Sequence, residues 1–438
     1  MASPVPPDLV LDDAPAPRGM RHAFRALRNP DFAKFWSGAL VSNVGNWMHQ
    51  TTVLYVLFHM TGSAAWVGLA AFCQFFPMMA MNAVGGVLAD RVDRKRILLA
   101  TQTALMVIAF SYFALWEAGE IRPGVLIALV AVGGFVAGIQ QPTWHSFVPQ
   151  LVPREHLLNA VALNSAQFNA ARAVGPAIAG VVLAASGPGA AFLVNALTFV
   201  FVLIALASVR ATQPVVDRGG GGFRGEFGAA IEYARGHPAI SLGVALVALT
   251  SLFGAPVVQF TPVFAREFGV DELGYGLLGA AFGGGAVSGL LVVGGYGEHI
   301  PRSRLAVLGV LGLGAGAVGL AVAPVYAVGL IALTVMGAAA LVVVSALSTS
   351  IQLAVREEMR GRVMALFMMA FTGGFPLGAL VQGRLADAFG VEATVGVAGG
   401  TLVLVAGWLW TRPARMRSLD GGVAQTATTA TAAVAPGR

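Results

Sequence analysis

The chain has 438 residues, 57% of them hydrophobic and only 11% charged, with a formal net charge of +6. Soluble domains carry about 25% charged residues, so this composition excludes a water-soluble globular protein and makes the bilayer the solvent. A single cysteine, Cys73, excludes an intrachain disulfide, and the polar, Pro-rich residues 1–30 lack the apolar core of a secretory signal.

A membrane-spanning helix needs about 20 mostly apolar residues. Residues 1–30 are expected to form a disordered cytoplasmic arm. Residues 31–209 hold six apolar runs, at 33–58, 65–88, 97–116, 124–145, 160–185 and 190–209. The last two are divided only by SGPG at 186–189. Residues 210–238 include RATQPVVDRGGGGFRGEF, the longest polar segment between runs, and are predicted to be a cytoplasmic central loop. Residues 239–411 hold six more runs, at 240–264, 273–296, 304–323, 326–353, 362–386 and 391–411. Residues 412–438 end in an Ala/Thr-rich tail, expected to be cytoplasmic and disordered. The prediction is an all-α polytopic membrane protein of twelve helices in two six-helix, pseudo-symmetric halves. The halves echo each other: LVPREHLLNAVAL (151–163) and LAVREEMRGRVMAL (353–366) each follow a long apolar run, and each next run carries a proline, Pro176 or Pro376. A weak repeat about 200 residues apart is the sequence sign of a two-fold transporter.

Orientation follows from the basic residues. Segments assigned to the cytoplasm hold 23 of the 27 Lys and Arg residues, and the outer loops hold three, Arg122, Arg266 and Arg384. This asymmetry places both termini inside. Only Lys34 and Lys95 are lysine, a usage typical of a GC-rich, bacterial genome, so the expected location is a bacterial cytoplasmic membrane. The basic residues then face anionic lipid and require no nucleic acid.

Polar residues inside the runs are the candidates for function. No Asp or Glu falls mid-run. Asn43, Asn46, Trp47 and Gln50 follow i, i+3, i+4, i+7 spacing and share one face of the first helix. Lipid would not tolerate that face, so it is expected to point inward as a substrate-binding surface. His49 lies beside it and is the one mid-membrane group suited to titrate near neutral pH, hence a candidate for proton coupling; a histidine satisfied by a neighbouring helix is the alternative. Gln74, Asn82, Gln140, Gln141 and Gln259 are further inward candidates, each also capable of only gluing helices together. Phe367, Met368 and Phe371 form a softer wall, or simple packing.

Arg172 stands near the middle of the fifth run, in AQFNAARAVGPAIAG (166–180). An unpaired guanidinium there is costly, so it must face the bundle interior. Two partners are open. One is structural: backbone carbonyls freed by Pro176, with help from Asn169. The other is an anionic substrate. No zinc-protease motif, phosphate-binding loop, metal-ligand cluster or paired acid motif occurs, so neither an enzyme, a cofactor nor a built-in ATP motor is expected.

Between the second and third runs the chain reads GGVLADRVDRKRIL (85–98). Asp90, ending the second helix, can accept hydrogen bonds from the free N–H groups opening the eleventh; the alternative is that Asp90 and its basic neighbours form a solvated cytoplasmic loop. This loop resembles the signature G-x-L-a-D-r-x-G-r-k of the major facilitator superfamily: Gly86, Leu88, Asp90, Arg91, Arg94 and Lys95 match, and Asp93 replaces a glycine. GRLADAFG (383–390) is a partial echo near the end of the eleventh run. GPAIAG, with Gly175, Pro176 and Gly180, resembles the G-P-x-x-G-G element of the superfamily's exporters, Ala179 replacing one glycine. The stretches 140–176 and 360–366 resemble the enterobactin-exporter and macrolide-efflux branch. The resemblance implies alternating access, a cytoplasmic gate at Gly86, Asp90, Arg91, Arg94 and Lys95, a hinge in the fifth helix at Gly175, Pro176 and Gly180, and export of a siderophore-, macrolide- or drug-like compound, with protons as a candidate coupling ion. Import of a small anionic nutrient on the same fold is the alternative.

Overall fold

The computed structural model describes residues 24–210, 223–297 and 299–421. The expected N-terminal arm up to residue 23, the Gly-rich part of the central loop (211–222) and the tail beyond residue 421 lie outside the described residues.

Helices dominate because a backbone in lipid must satisfy its N–H and C=O groups within its own segment. In chain order they are α1 (Pro30–Thr61), α2 (Ala64–Arg91), α3 (Arg94–Glu117) and α4 (Pro123–Phe147). Next comes Leu157–Ser208, a 52-residue stretch. At a rise of about 1.5 Å per residue it is about two and a half times the thickness of a bilayer core. It breaks at Gly187, whose φ of 76° and ψ of −178° are non-helical, within the predicted SGPG division. Its limbs, 157–186 and 188–208, are α5 and α6. The second half holds α7 (Pro238–Glu267), α8 (Glu272–Tyr296), α9 (Arg302–Ala321), α10 (Tyr326–Ala354), α11 (Glu357–Phe389) and α12 (Val391–Trp410). Ten of the described helices are long and apolar enough to cross a membrane, with α5 and α6 counted as one. The helix α1 is absent from that group, although it has 32 residues. Its Asn, His and Gln residues lower its hydropathy.

Three segments depart from the expected pattern. Residues of the central loop form a helix, Phe223–Gly236. The tail does not begin as a disordered segment: Pro413–Ser418 is helical, and Asp420 caps α9. Its carboxylate accepts from Ser303 N at 2.9 Å and Ser303 Oγ at 2.5 Å, while Arg302 Nη2 donates to the Asp420 carbonyl at 2.9 Å. Third, α7 is not uniform. It passes through a π turn at Thr250–Gly254 and a 3-10 turn at Ala255–Phe260, because Pro256 has no N–H for the ladder. Gln382 of α11 repairs the gap by donating to the carbonyls of Leu252 (2.7 Å) and Phe253 (3.2 Å).

The halves meet along two helix pairs, α5 with α8 and α2 with α11. Exchanging the halves maps one pair onto the other, which is the pseudo-two-fold relation. Both seams are built from small residues. Gly180 lies against Gly276 and Gly283 against Ala173; Gly68 lies against Ala379 and Gly383 against Ala64. A Cβ at any of these glycines would strike the opposing backbone.

Both ends of the described chain lie on one face, here the terminal face, with Asp31 accepting from Arg210 N at 3.3 Å. The small-residue seams lie towards the opposite, far face. There the Asp387 carboxylate, at the end of α11, caps the start of α2. It accepts from Ala64 N (2.6 Å), Ala65 N (3.2 Å) and Ser63 Oγ (2.5 Å). Tyr55 donates to Glu272 at 2.7 Å and Tyr275 to the Thr51 carbonyl at 2.8 Å, which fastens α1 to α8. At the terminal face the corresponding contact is open. The N-terminus of α11 has no side-chain cap, and Asp90 is 49% exposed, its one ion pair among the described residues being with Arg94 at 3.7 Å.

Candidate substrate cavity

The polar residues of α1 form one wall of a cavity inside the first half. Asn43, Asn46, His49 and Gln50 of α1, Gln74 of α2, Gln102 and Tyr112 of α3, Gln140 and Trp144 of α4, and Asn195 and Phe199 of α6 line it. Its empty volume is about 800 Å³, including the open mouth and the solvent space in front of it. No charged side chain lines it. Recognition there would rest on neutral donors and acceptors set among aromatic and aliphatic walls. Three buried polar atoms at this cavity have no hydrogen-bond partner: His49 Nδ1, Gln102 Oε1 and Asn195 Oδ1. Each is an unmet site that a ligand group or water can fill. The His49 ring packs edge-on to Tyr112 at 4.5 Å and to Phe192 at 5.5 Å, so aromatic rings hold its orientation and leave Nδ1 unmet.

Several expected site residues lie elsewhere. Trp47 is not on the cavity wall; it packs against Gly175 and edge-on to Phe168 of α5, 5.7 Å between centroids. The helix is wide enough that a four-residue polar stripe faces two neighbours. Phe367 is fully buried in the core of the second half, and Phe371 packs against the same core; Phe367 is therefore a packing residue, not a ligand wall. Met368 is half exposed. Gln259 falls in the 3-10 turn of α7, outside the cavity. Asn169 donates to the Ser165 carbonyl of its own helix at 2.9 Å and gives Arg172 no help. Asn82 Oδ1 is buried without a partner, apart from the cavity.

The residues expected to act as a hinge form a packing seam in the described state. Backbone dihedrals stay helical from Gly175 to Gly180, the only interruption of this stretch being at Gly187. Gly175 admits Trp47 of α1, Pro176 packs on Gly279 of α8, and Gly180 meets Gly276.

The loop residues divide in the same way. Gly85 packs against Gly138 and Pro142 of α4, but Gly86 has open space around it, so only the first glycine serves close approach. Arg94 donates to the carbonyls of Ala89 (3.1 Å) and Ser146 (3.4 Å). Lys95 donates to those of Ala207 (3.1 Å) and Val209 (2.5 Å) at the end of α6. Both cations brace the first half. Arg91 is exposed. No hydrogen bond among the described residues joins Asp90 to α11.

Arg172 lies where α5 meets α8. Its Nε and Nη2 are buried without hydrogen-bond partners, and its Cζ sits 5.4 Å from the Phe282 ring centroid. Gln102, Tyr112, Trp144 and Asn195 were not foreseen. Gln102 in LLATQTALM and Asn195 in FLVNALTF are lone polar residues in apolar runs, the one sequence signal available for them.

The profile of the family described as transmembrane secretion effector matches residues 21–430. A staphyloferrin A transporter of Staphylococcus aureus is 23% identical over 85% of this chain and 93% of its own length. An enterobactin exporter of Citrobacter koseri is 27% identical over 82% of each chain. Among solved structures, an inward-facing, unoccupied bacterial homologue of the human lysosomal transporter Spinster superposes with a TM-score of 0.70 at 14% identity. That match covers 89% of this chain and 98% of the other.

Proposed function

The chain belongs to the transmembrane secretion effector family of major facilitator transporters, and from that premise we propose that it exports a small amphipathic compound, siderophore-, macrolide- or drug-like, by alternating access. The supporting observation is the first-half cavity, whose lining is neutral, polar and aromatic. The relatives named as exporters of siderophores agree with this reading. The concentration of basic residues on the terminal face supports placing that face in the cytoplasm of a bacterium. The described state then has its outer side latched by Asp387 and its cytoplasmic side unlatched at Asp90. No carboxylate lies mid-span, so proton coupling, if present, falls to His49 in the cavity or to the substrate itself.

The test is transport in inverted membrane vesicles. An exporter accumulates a fluorescent amphipathic dye in their lumen when the protein is present, and dissipating the ion gradient slows it. Depletion of the lumen in place of accumulation would reverse the direction and favour the second reading, import of a small anion, for which Arg172 is the one supporting residue.

A further inference from the structure

We infer that the Nε–Nη2 edge of Arg172 is a carboxylate-binding site where the two halves meet, and that the exported compound presents a carboxylate to it; this rests on the export reading above and names its substrate class. The two buried nitrogens without partners, Nε and Nη2, form the edge of a guanidinium whose N–H bonds point in parallel. Parallel donors match the two oxygens of one carboxylate, and such a fork is stronger and more directional than a single contact. A buried donor left without an acceptor is expensive, and one carboxylate would satisfy both N–H groups of this edge at once.

The internal partners that could fill the edge are committed elsewhere. Asn169, one turn earlier, donates its amide to the Ser165 carbonyl. Pro176 frees the carbonyl of Arg172, but that oxygen faces Gly283 of α8 across the seam. None of the ion pairs among the described residues involves Arg172, and the sequence has no Asp or Glu in the middle of a span. What does flank the cation is Phe282, from the other half. An aromatic face attracts a guanidinium but offers no lone pair to its N–H groups. A fork of donors beside an aromatic ring suits an amphipathic carboxylic acid, its anion on the edge and its apolar body along the ring. The same arrangement would not discriminate among neutral ligands, which the cavity of the first half can hold through its amides alone.

The test uses the full chain in phosphatidylcholine nanodiscs, so that no anionic lipid competes, and two probes of one shape, 2-naphthoate and 2-naphthamide. Binding is read by thermal stabilisation across a concentration series. The acid is expected to bind at least about tenfold more tightly than the amide. Arg172→Lys keeps the charge but loses the fork and is expected to weaken the acid by about tenfold, leaving the amide unchanged; Arg172→Gln removes the preference. Equal binding of both probes to the native protein overturns the inference, as does a full acid preference in Arg172→Gln, or no acid binding at millimolar concentration. The native-protein comparison stands even if a variant fails to fold. Failure is separable from failure of the export reading. Vesicles that accumulate a neutral dye while the nanodiscs show no acid preference overturn only the carboxylate site. An acid preference without vesicle accumulation overturns export and leaves the site.

Discussion

Asp387 is the residue whose replacement reads most directly on the transport cycle. Its carboxylate closes three hydrogen bonds at the start of α2, two of them to backbone N–H groups at a helix N-terminus. Asp387→Asn keeps one acceptor oxygen, loses the second and removes the charge that the helix dipole favours. Capping and dipole effects of this kind are each worth about 1 kcal/mol. The group is exposed, so about 1 kcal/mol for the substitution is the appropriate scale, or roughly a fivefold change in an equilibrium. Because the contact exists in the described state, the change must favour the state in which the far face opens. Spin labels at Glu120→Cys and Val322→Cys, in a Cys73→Ser background, sit on far-face loops of the two halves. Double electron–electron resonance should show the longer-distance population rising about fivefold relative to the shorter, with Asp387→Glu in between. An unchanged distance distribution, or a shift toward the closed far face, would refute the latch.

Other outcomes follow from the same geometry. Asp90→Asn should move the equilibrium in the opposite sense, since the contact it would make with α11 is absent here; lower transport with a greater share of the described state in the same measurement is expected, and wild-type transport would reduce Asp90 to a loop residue. His49→Gln should make vesicle accumulation insensitive to the pH gradient, and persistence of that sensitivity would move coupling elsewhere. Phe367→Ala should cost about 3–5 kcal/mol of stability, seen as a lower melting temperature, without changing the order of substrate preference; a changed order with unchanged melting would return Phe367 to the binding surface.

The helix positions, the division at SGPG and the inward polar face of α1 were legible because each rests on local chemistry: apolar length, a glycine free to leave the helical region, and amides that lipid rejects. What failed depended on neighbours. Trp47 shares the stripe with Asn43 and Gln50 yet belongs to a different interface, since the side that faces α5 is set by Gly175 on the other helix. Phe367 and Phe371 read as a soft wall, but an aromatic pair has the same pattern whether it meets a ligand or a core. The glycines and proline of GPAIAG suggested a hinge; the seam they form was not legible because it depends on partners in α1 and α8. The irregular α7 was invisible because its repair comes from Gln382, far along the chain. The echo of GVLAD (86–90) in GRLAD (383–387) was visible as spelling; that the second copy latches the far face needed the pairing of α2 with α11.

Every residue lining the first-half cavity belongs to that half, between Ser42 and Phe199. A molecule seated there keeps all those contacts while the halves rock, and so binds the two states alike. A ligand with equal affinity for both states cannot shift their balance, however tightly it is held. Such a carrier would turn over whether loaded or empty, and its cavity would work as a passive cup. Only a contact that bridges the halves can make the turnover sense the load. Arg172, with Phe282 reaching it from α8, stands at such a bridge: an anion that pulls the guanidinium away from the ring would loosen one attachment between the halves at the moment of loading.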